Sequence, residues 1–330
     1  MIERFSFRLV ISLFALSGAF KPDVGIASAQ DDSLVCHIRG PVRVFYWTEG
    51  ENAVKLEDTD SNGIPDRIED VGKQVWAAHH LFCKVLDFPD PFKSERYKGV
   101  TCVEAYVRPF EKGGNGLAFE SAQRARKTPE GKPDDRAIVM RIGAHVVPSR
   151  NITPAHEFFH LIQYSTTYFK NSWYLEGMAR WAEHSLAKDG IGPVKYDPRG
   201  PWPQSRQNLP QLFEMSYDAE FVLWNPIAAA TDRRGSLSRT AVGSELADLR
   251  YSDGKPVLQD LEFNGAPVMR DILLELGKMD DVAFKELGYE DWSEENQKSP
   301  RNAPFIYQAV MDALRRRTKS IKAFRALPVR

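Results

Sequence analysis

The residues with the clearest capacity for chemistry lie in one short stretch, His156-Glu157-Phe158-Phe159-His160. Two histidines four positions apart lie one turn apart on the same face of a helix. There both imidazoles can bind one Zn²⁺ at about 2.0–2.1 Å. Glu157 lies about 100° around the helix from His156, where it can act on a water beside the metal. This is the HExxH pattern, in which the metal acidifies the attacking water and the glutamate is the general base.

The sequence around the histidines predicts a helix. Thr153 is a suitable N-cap, and Pro154 suits the first helical position. Apolar residues supply a face for burial. These are Phe158, Phe159, Leu161 and Ile162. A core helix with two hydrogen-bonded histidines would carry the same residues, so the pattern alone leaves a purely structural role open.

A catalytic zinc site needs a third protein ligand and an open fourth position. The next helical pattern, residues 173–183, offers Glu176 and Glu183. Glu176 lies beside an apolar stripe near the start of this helix. Gly177 and Ala179 are small, and we expect them to let this helix approach the histidine helix closely. The alternatives are that Glu183 is the ligand, or that both carboxylates are solvated and Glu183 pairs with a neighbouring arginine.

The pair of motifs resembles a known family. HExxH followed by Trp-x-x-Glu-Gly-x-Ala-x-Trp-x-Glu over 173–183 is similar to the gluzincin zinc metallopeptidases. These include thermolysin-like enzymes and aminopeptidases with an Asn-Glu-Gly-Phe-Ala helix. The resemblance implies that Glu176 is the third zinc ligand and that Glu183 orients a histidine. It also implies an oxyanion partner from a lower subdomain, for which Tyr217 is favoured over His184 and Tyr251.

A second set of metal-binding residue types occupies 58–69, Asp-Thr-Asp-Ser-Asn-Gly-Ile-Pro-Asp-Arg-Ile-Glu. The spacing matches the twelve-residue Ca²⁺ loop, with oxygens at positions 1, 3, 5, 7, 9 and 12 and glycine at 6. The predicted ligands are Asp58, Asp60, Asn62, the Ile64 carbonyl, Asp66 and Glu69. Because no helical pattern precedes the loop, we expect a strand–loop–helix site that fixes where the next helix leaves the sheet. An ordinary Asp- and Asn-rich turn is the simpler interpretation.

The remaining patterns predict the elements that position these motifs. Strands are predicted at 41–47, 100–107 and 137–142, a helix at 67–86, irregular chain at 30–40, and helices at 211–230, 266–278 and 303–325. A short extended piece at 117–119 is a candidate edge strand that could pair with a substrate backbone. The order predicts an α+β, zincin-like fold, in which a mixed twisted sheet lies over the active-site helix. Residues 30–188 would form the upper subdomain, and 189–330 a Pro- and Gly-rich connection with a mostly α-helical lower subdomain.

The first 29 residues resemble a secretory signal peptide. Arg4 and Arg8 form a basic start, residues 9–20 an apolar run, and 27–29 an Ala-Ser-Ala cleavage site. The run is shorter than the roughly 20 residues that span a bilayer, so we expect no stable membrane insertion. An uncleaved anchor is the alternative. The sequence thus predicts a secreted or periplasmic protein.

Composition and cysteine content add limits. The chain has 330 residues, 42% of them hydrophobic, and a net charge of −1, which gives no reason to expect binding to nucleic acid. In an exported chain one disulfide is plausible, and Cys83 with Cys102 is the favoured pair. Three small buried thiols are the alternative.

Together the motifs predict a secreted metallopeptidase that uses Zn²⁺ to hydrolyse peptide or protein substrates, with Ca²⁺ as a structural ion. The three motifs also resemble a group of secreted bacterial metalloprotease-like proteins over residues 41–230. The alternative is a non-catalytic exported protein of zincin fold that binds Ca²⁺ and Zn²⁺. Glu157 separates the two hypotheses, because a binding protein has no use for a general base.

Overall fold

A computed structural model gives the fold of residues 33–110, 113–128, 131–132, 135–186, 194–197 and 203–317. The predicted signal peptide, parts of the Pro- and Gly-rich stretch and the end of the last predicted helix lie outside these ranges. The described residues belong to one compact unit that starts at Ser33. Within them, no helix combines the length and apolar character that a membrane span requires.

Six strands of the described residues form one mixed sheet. They are β1 (Leu34–Arg39), β2 (Val42–Trp47), β3 (Val100–Arg108), β4 (Gly116–Ala118), β5 (Gln123–Arg124) and β6 (Arg136–Gly143). The order is β1-β2-β3-β6-β4, with β5 also paired to β6. Strands β2, β3 and β6 are parallel, whereas β1, β4 and β5 run antiparallel to their partners. The predicted strands are confirmed, but the irregular chain expected at 30–40 is wrong, since β1 pairs with β2 there.

The helices predicted at 67–86, 266–278 and 303–325 are confirmed within the described residues, but the single helix predicted at 211–230 is wrong, because a turn and a π-helical segment divide it into two short α-helices. The described residues form ten α-helices. They are α1 (Asp66–His79), α2 (Thr153–Thr166), α3 (Ser172–Glu183), α4 (Leu209–Phe213), α5 (Asn225–Thr231), α6 (Arg239–Val242), α7 (Ser244–Ala247), α8 (Ala266–Leu287), α9 (Glu294–Lys298) and α10 (Ala303–Arg317). Helix α1 continues as a π-helical segment, His80–Val85, and a second π-helical segment covers Glu220–Trp224. The chain is therefore α+β, with mostly helical structure in 203–317.

Aromatic side chains fix the two motif helices against each other. Phe159 of α2 lies 5.1 Å from Phe82 and 6.1 Å from Trp181 of α3, measured between ring centroids. All three rings are almost completely buried. Edge-to-face contacts of this kind add about 0.5–1.5 kcal/mol each beyond the area they bury. The packing places one face of α2 toward α3.

The start of α2 is held by residues outside the helix. Thr153, predicted as the N-cap, is instead the first helical residue, and Ile152 takes the cap position. The Thr153 N–H and hydroxyl both donate to Asn151 Oδ1, at 2.9 and 2.6 Å. Pro154 has no N–H. The next free amide, Ala155 N–H, donates to Gln74 Oε1 of α1 at 3.2 Å.

Gln74 thus joins α1 to α2. It is fully buried, and its Nε2 donates to the Pro148 carbonyl at 2.9 Å and the Tyr251 hydroxyl at 2.7 Å. Tyr251, a candidate oxyanion partner in the sequence, therefore accepts a hydrogen bond from Gln74. Buried side-chain hydrogen bonds of this kind keep the helix start at one position.

The predicted Cys83–Cys102 disulfide is wrong, because neither Cys83 nor Cys102 takes part in a disulfide. Cys83 lies in the π-helical segment, where its Sγ is 3.8 Å from the Pro89 carbonyl. Cys102 lies on β3, where its Sγ is 3.8 Å from the Arg136 carbonyl. Each sulfur therefore has its own local contact.

Replacing Gln74 with Met keeps the side-chain length but removes its donors and its acceptor. Gln74 Nε2 also donates to the Asn151 carbonyl at 3.3 Å. The Ala155 N–H and the Pro148 and Asn151 carbonyls would then lose this partner, at roughly 1–3 kcal/mol per group. We expect the free energy of unfolding, measured by urea denaturation, to fall by about 2–4 kcal/mol. Gln211→Met, at an exposed position of α4, is the matched control. Equal stability of the two variants would contradict the proposed role of the Gln74 hydrogen bonds.

Candidate metal centre

Helices α2 and α3 bring His156, His160 and Glu176 to one point. Glu176 Oε2 lies 3.3 Å from His156 Nε2 and 3.4 Å from His160 Nε2. The two imidazoles meet edge to face, with centroids 4.6 Å apart. Both histidines are buried, while the Glu176 side chain is 23% exposed. The HExxH helix and the Glu-Gly-x-Ala helix therefore share one site.

The two distances from Glu176 Oε2 fit a shared metal ion. Two ligand atoms each about 2.0–2.1 Å from a tetrahedral Zn²⁺ lie about 3.3 Å apart. Glu176 Oε2 is buried and makes no directed hydrogen bond. Its distances to the two nitrogens exceed the roughly 2.7–2.9 Å of a charge-assisted hydrogen bond. A buried carboxylate oxygen is costly without a positive partner, and a divalent cation held by all three atoms would supply one.

Each histidine is oriented by an acceptor behind it. His156 Nδ1 lies 2.8 Å from Glu183 Oε1, and His160 Nδ1 lies 2.8 Å from Gln163 Oε1. An acceptor at Nδ1 favours the tautomer that carries its hydrogen there, so each Nε2 is left with a lone pair for a metal. Gln163 Nε2 also donates to the Leu175 carbonyl at 3.1 Å, which ties α2 to α3.

Gln163 was missed in the sequence, although it stands three residues after the second histidine. That spacing places it on the same side of α2. The resemblance had supplied a role for Glu183 but none for this glutamine.

A chain of charges extends behind Glu183. Its Oε2 accepts from Arg180 at 3.0 Å, and Arg180 Nε donates to Glu220 Oε2 at 3.2 Å. Glu220 Oε1 lies 2.7 Å from His184 Nε2. Glu183 is only 1% exposed, so this arginine offsets part of the cost of its burial. His184, the other rival for the oxyanion role, is committed to this network.

The centre has a strong electrostatic preference for a cation. Burial disfavours a charged His156, but Glu176 and Glu183 outweigh that effect and raise the pKa of His156 to about 10. Burial likewise opposes ionisation of Glu176, yet His160 and His156 hold its pKa well below the ordinary value. A proton and a metal compete for the same imidazole nitrogen. Metal binding should therefore release protons and weaken as the pH falls.

Glu157 lies between α2 and the edge strand β4. It is buried, and a Cβ on Gly116 would lie 2.5 Å from its Oε1, so only glycine leaves room there. Burial raises the pKa of Glu157, while His156, His160 and the Ala118 N–H oppose the rise without cancelling it. A carboxylate with a raised pKa is better suited to accept and return a proton near neutral pH.

Tyr217 lies beside the centre, in the turn before the second π-helical segment. Its ring centroid is 6.4 Å from that of His156, and the residue is 54% exposed. Burial of the hydroxyl end and the carboxylates of Glu176 and Glu157 raise the pKa of Tyr217 well above its usual value. The phenol therefore stays protonated and can donate a hydrogen bond.

Gly177 packs against the segment that follows Tyr217, and not against α2. A Cβ at 177 would lie 2.7 Å from Trp224 Nε1 and 2.9 Å from the Ala219 Cβ. The expectation that Gly177 admits the histidine helix is therefore wrong. The Trp224 indole N–H donates to the Trp173 carbonyl at 3.0 Å, and the close approach brings the turn at 217 next to α3.

The 58–66 loop gathers three carboxylates. Oxygens of Asp58, Asp60 and Asp66 lie within 4.8 Å of one another. Asp58 also accepts from the Gly63 N–H at 2.8 Å, and Gly63 has a φ of +85°, which the sharp turn requires. The structure does not bring Glu69 to this group, because its carboxylate pairs with Lys73 at 2.9 Å.

The other two predicted ligands of the loop are the Asn62 side chain and the Ile64 carbonyl. Asn62 Nδ2 donates to Asp60 at 3.1 Å, and Asn62 Oδ1 accepts from the Ile64 N–H at 2.8 Å. This bond uses the N–H of Ile64 and not its carbonyl, which is the predicted ligand. The loop is thus a compact oxygen-rich turn at the start of α1.

Comparison with known proteins gave no match: no family model, no curated protein and no solved structure is similar to the chain.

Replacing Glu183 with Gln tests the support behind His156. The change keeps the size of the side chain and one acceptor but removes the charge. We expect zinc affinity, measured by competition with a chromophoric chelator, to fall about 10–100-fold. Glu214→Gln, at an exposed position, should bind zinc like the wild type. Unchanged affinity in Glu183→Gln would contradict the role of this hydrogen bond.

Calcium should stabilise the protein through the 58–66 loop. We expect millimolar Ca²⁺ to raise the melting temperature of the metal-free protein by several degrees, because an ion that binds only the folded loop stabilises the folded state. Asp58→Asn combined with Asp60→Asn should abolish the shift, and Asp281→Asn, at an exposed position of α8, should keep it. The same shift in all three proteins would remove the loop as a calcium site.

Proposed function

We propose that this protein is a zinc-dependent peptidase that hydrolyses peptide bonds in peptide or protein substrates. The observation that carries the proposal is the convergence of His156, His160 and Glu176, with Glu176 Oε2 3.3 and 3.4 Å from the two imidazole nitrogens. Glu157 stands one residue from the first of these histidines, with a raised pKa. A site built only to hold a metal would need the three ligands but not this carboxylate.

Bound Zn²⁺ would polarise the scissile carbonyl and make a water more acidic. Glu157 takes a proton from the attacking water as the new C–O bond forms, and returns it to the amine as the C–N bond breaks. Its raised pKa suits both transfers. Tyr217, held in the protonated form, donates a hydrogen bond to the oxygen that gains negative charge.

The edge strand β4 is proposed to bind the substrate backbone. It lies at the edge of the sheet, next to β6. It also lies directly against Glu157, since a Cβ on Gly116 would come within 2.5 Å of the Glu157 carboxylate. Leu117 on this strand is 46% exposed. An extended peptide could add to this edge as a further strand, which would bring its backbone to the metal ligands.

The loop at 58–66 is proposed to bind Ca²⁺ as a structural ion. It would fix the first turn of α1, and α1 carries Gln74, which caps the first turn of α2. Calcium would thereby support the position of the histidine helix from a distance. Residues 1–29 retain the character of a signal peptide, so we propose that the protein acts outside the cytoplasm.

Glu157→Gln is the decisive variant for the peptidase. It should retain zinc, measured by elemental analysis, because Glu157 is not a ligand. Cleavage of casein or a quenched peptide library should fall at least 10²-fold, because the general base is lost. Glu214→Gln serves again as the exposed control. Full zinc occupancy with no Glu157-dependent cleavage would instead support a non-catalytic metal-binding protein.

A further inference from the structure

Three donors of different chemical types form a cluster that shares no residue with the candidate metal centre. They are His79, Cys83 and Asp90, and each offers an atom within 4.8 Å of the other two. His79 Nε2 lies 3.4 Å from Asp90 Oδ1. The His79 and Asp90 side chains are 8% and 6% exposed, and Cys83 is 9% exposed. Imidazole nitrogen, thiolate sulfur and carboxylate oxygen are all ligands that Zn²⁺ accepts.

The backbone is arranged to bring these donors together. His79 is the last residue of α1, and Cys83 lies four residues on, in the π-helical segment. Such segments are rare and frequently accompany functional sites. The chain then reverses at Asp87, a non-glycine residue with a φ of +57°. The Phe88 N–H donates to the Phe82 carbonyl at 2.9 Å, which returns Asp90 to the same helical turn.

The surroundings would hold an ion tightly while leaving it a route of entry. Aromatic rings of Phe92 and Phe158 lie 4.8 and 5.6 Å from the His79 ring and keep that side of the cluster dry. An open cleft reaches Asp90. It is lined by Pro89, Lys93, Ser94, Ser165 and Thr166. Solvent in this cleft could supply a fourth ligand.

The groups that now contact Asp90 do not exclude a metal. Lys84 Nζ lies 2.6 Å from Asp90 Oδ2, but the Lys84 side chain is 43% exposed and can turn into solvent. The Phe92 N–H donates to Oδ1 at 3.1 Å, and a carboxylate oxygen can accept that bond while it binds an ion. Lys93 is exposed. A thiolate and a carboxylate together balance the charge of a divalent cation.

We propose that His79, Cys83 and Asp90 form a second metal site, for a borderline-soft divalent ion such as Zn²⁺. Binding forms bonds from the ion to Sγ, Nε2 and a carboxylate oxygen, and the Cys83 thiol proton passes to solvent. The ion would fasten the 86–90 reversal to the end of α1. The site is structural, and it is independent of the proposed peptidase.

Cobalt is the probe, because a thiolate bound to Co²⁺ gives a near-ultraviolet charge-transfer band that a site of histidine and carboxylate ligands lacks. Added to the metal-free full-length protein, Co²⁺ should bind at two sites and produce this band. Cys83→Ser should lose the band and one equivalent of Co²⁺. The matched controls Cys36→Ser and Cys102→Ser should keep both. No band in the wild type, or an undiminished band in Cys83→Ser, would overturn the site.

A second variant guards against misfolding of Cys83→Ser. Asp90→Asn keeps an acceptor for the Phe92 N–H, and it should weaken Co²⁺ binding at the thiolate site at least 10-fold by titration of the same band. Equal affinity in Asp90→Asn would contradict the proposed ligand set. His156→Ala should remove the other equivalent and leave the band intact. Failure of the peptidase proposal would therefore not affect this result.

Discussion

The meeting of Glu176 Oε2 with the two imidazole nitrogens is the constraint on which the rest of the molecule depends. Burying a carboxylate and two histidines is unfavourable unless their charges and lone pairs are satisfied together. The arrangement requires α2 and α3 to cross at a fixed distance. Two side-chain links set that distance, Glu183 to His156 and Gln163 to the Leu175 carbonyl, each between atoms of the two helices.

The surrounding fold holds this crossing from three sides. Gln74 of α1 fixes the start of α2, and β4 lies against its flank at Glu157, where Gly116 leaves room for no side chain. Behind α3, the tight packing of Gly177 on Trp224 brings the Tyr217 turn to the centre. The sheet and the helical part of the chain thus meet at His156, His160 and Glu176.

Most features that the sequence could predict follow from the spacing of residues close together in the chain. His156 and His160 lie on one face because helix geometry alone decides it, and the oxygen spacing of the 58–66 loop is equally local. Gln74 could not be predicted as the partner of Ala155, because 81 residues separate them in sequence. The neighbours of Gly177, Ala219 and Trp224, were missed for the same reason. Strand β1 is a different case, because its partner β2 begins only three residues after β1 ends. Glu69 fits the loop pattern, yet its partner one helical turn on, Lys73, takes the carboxylate instead.

We propose that one metal ion joins α2 to α3. Anomalous diffraction at the zinc edge, from crystals of the zinc-loaded protein, tests it directly. We expect a peak about 2.0–2.2 Å from His156 Nε2, His160 Nε2 and one Glu176 oxygen. An ion at the two histidines with the Glu176 carboxylate turned away, or no peak between these residues, would contradict it.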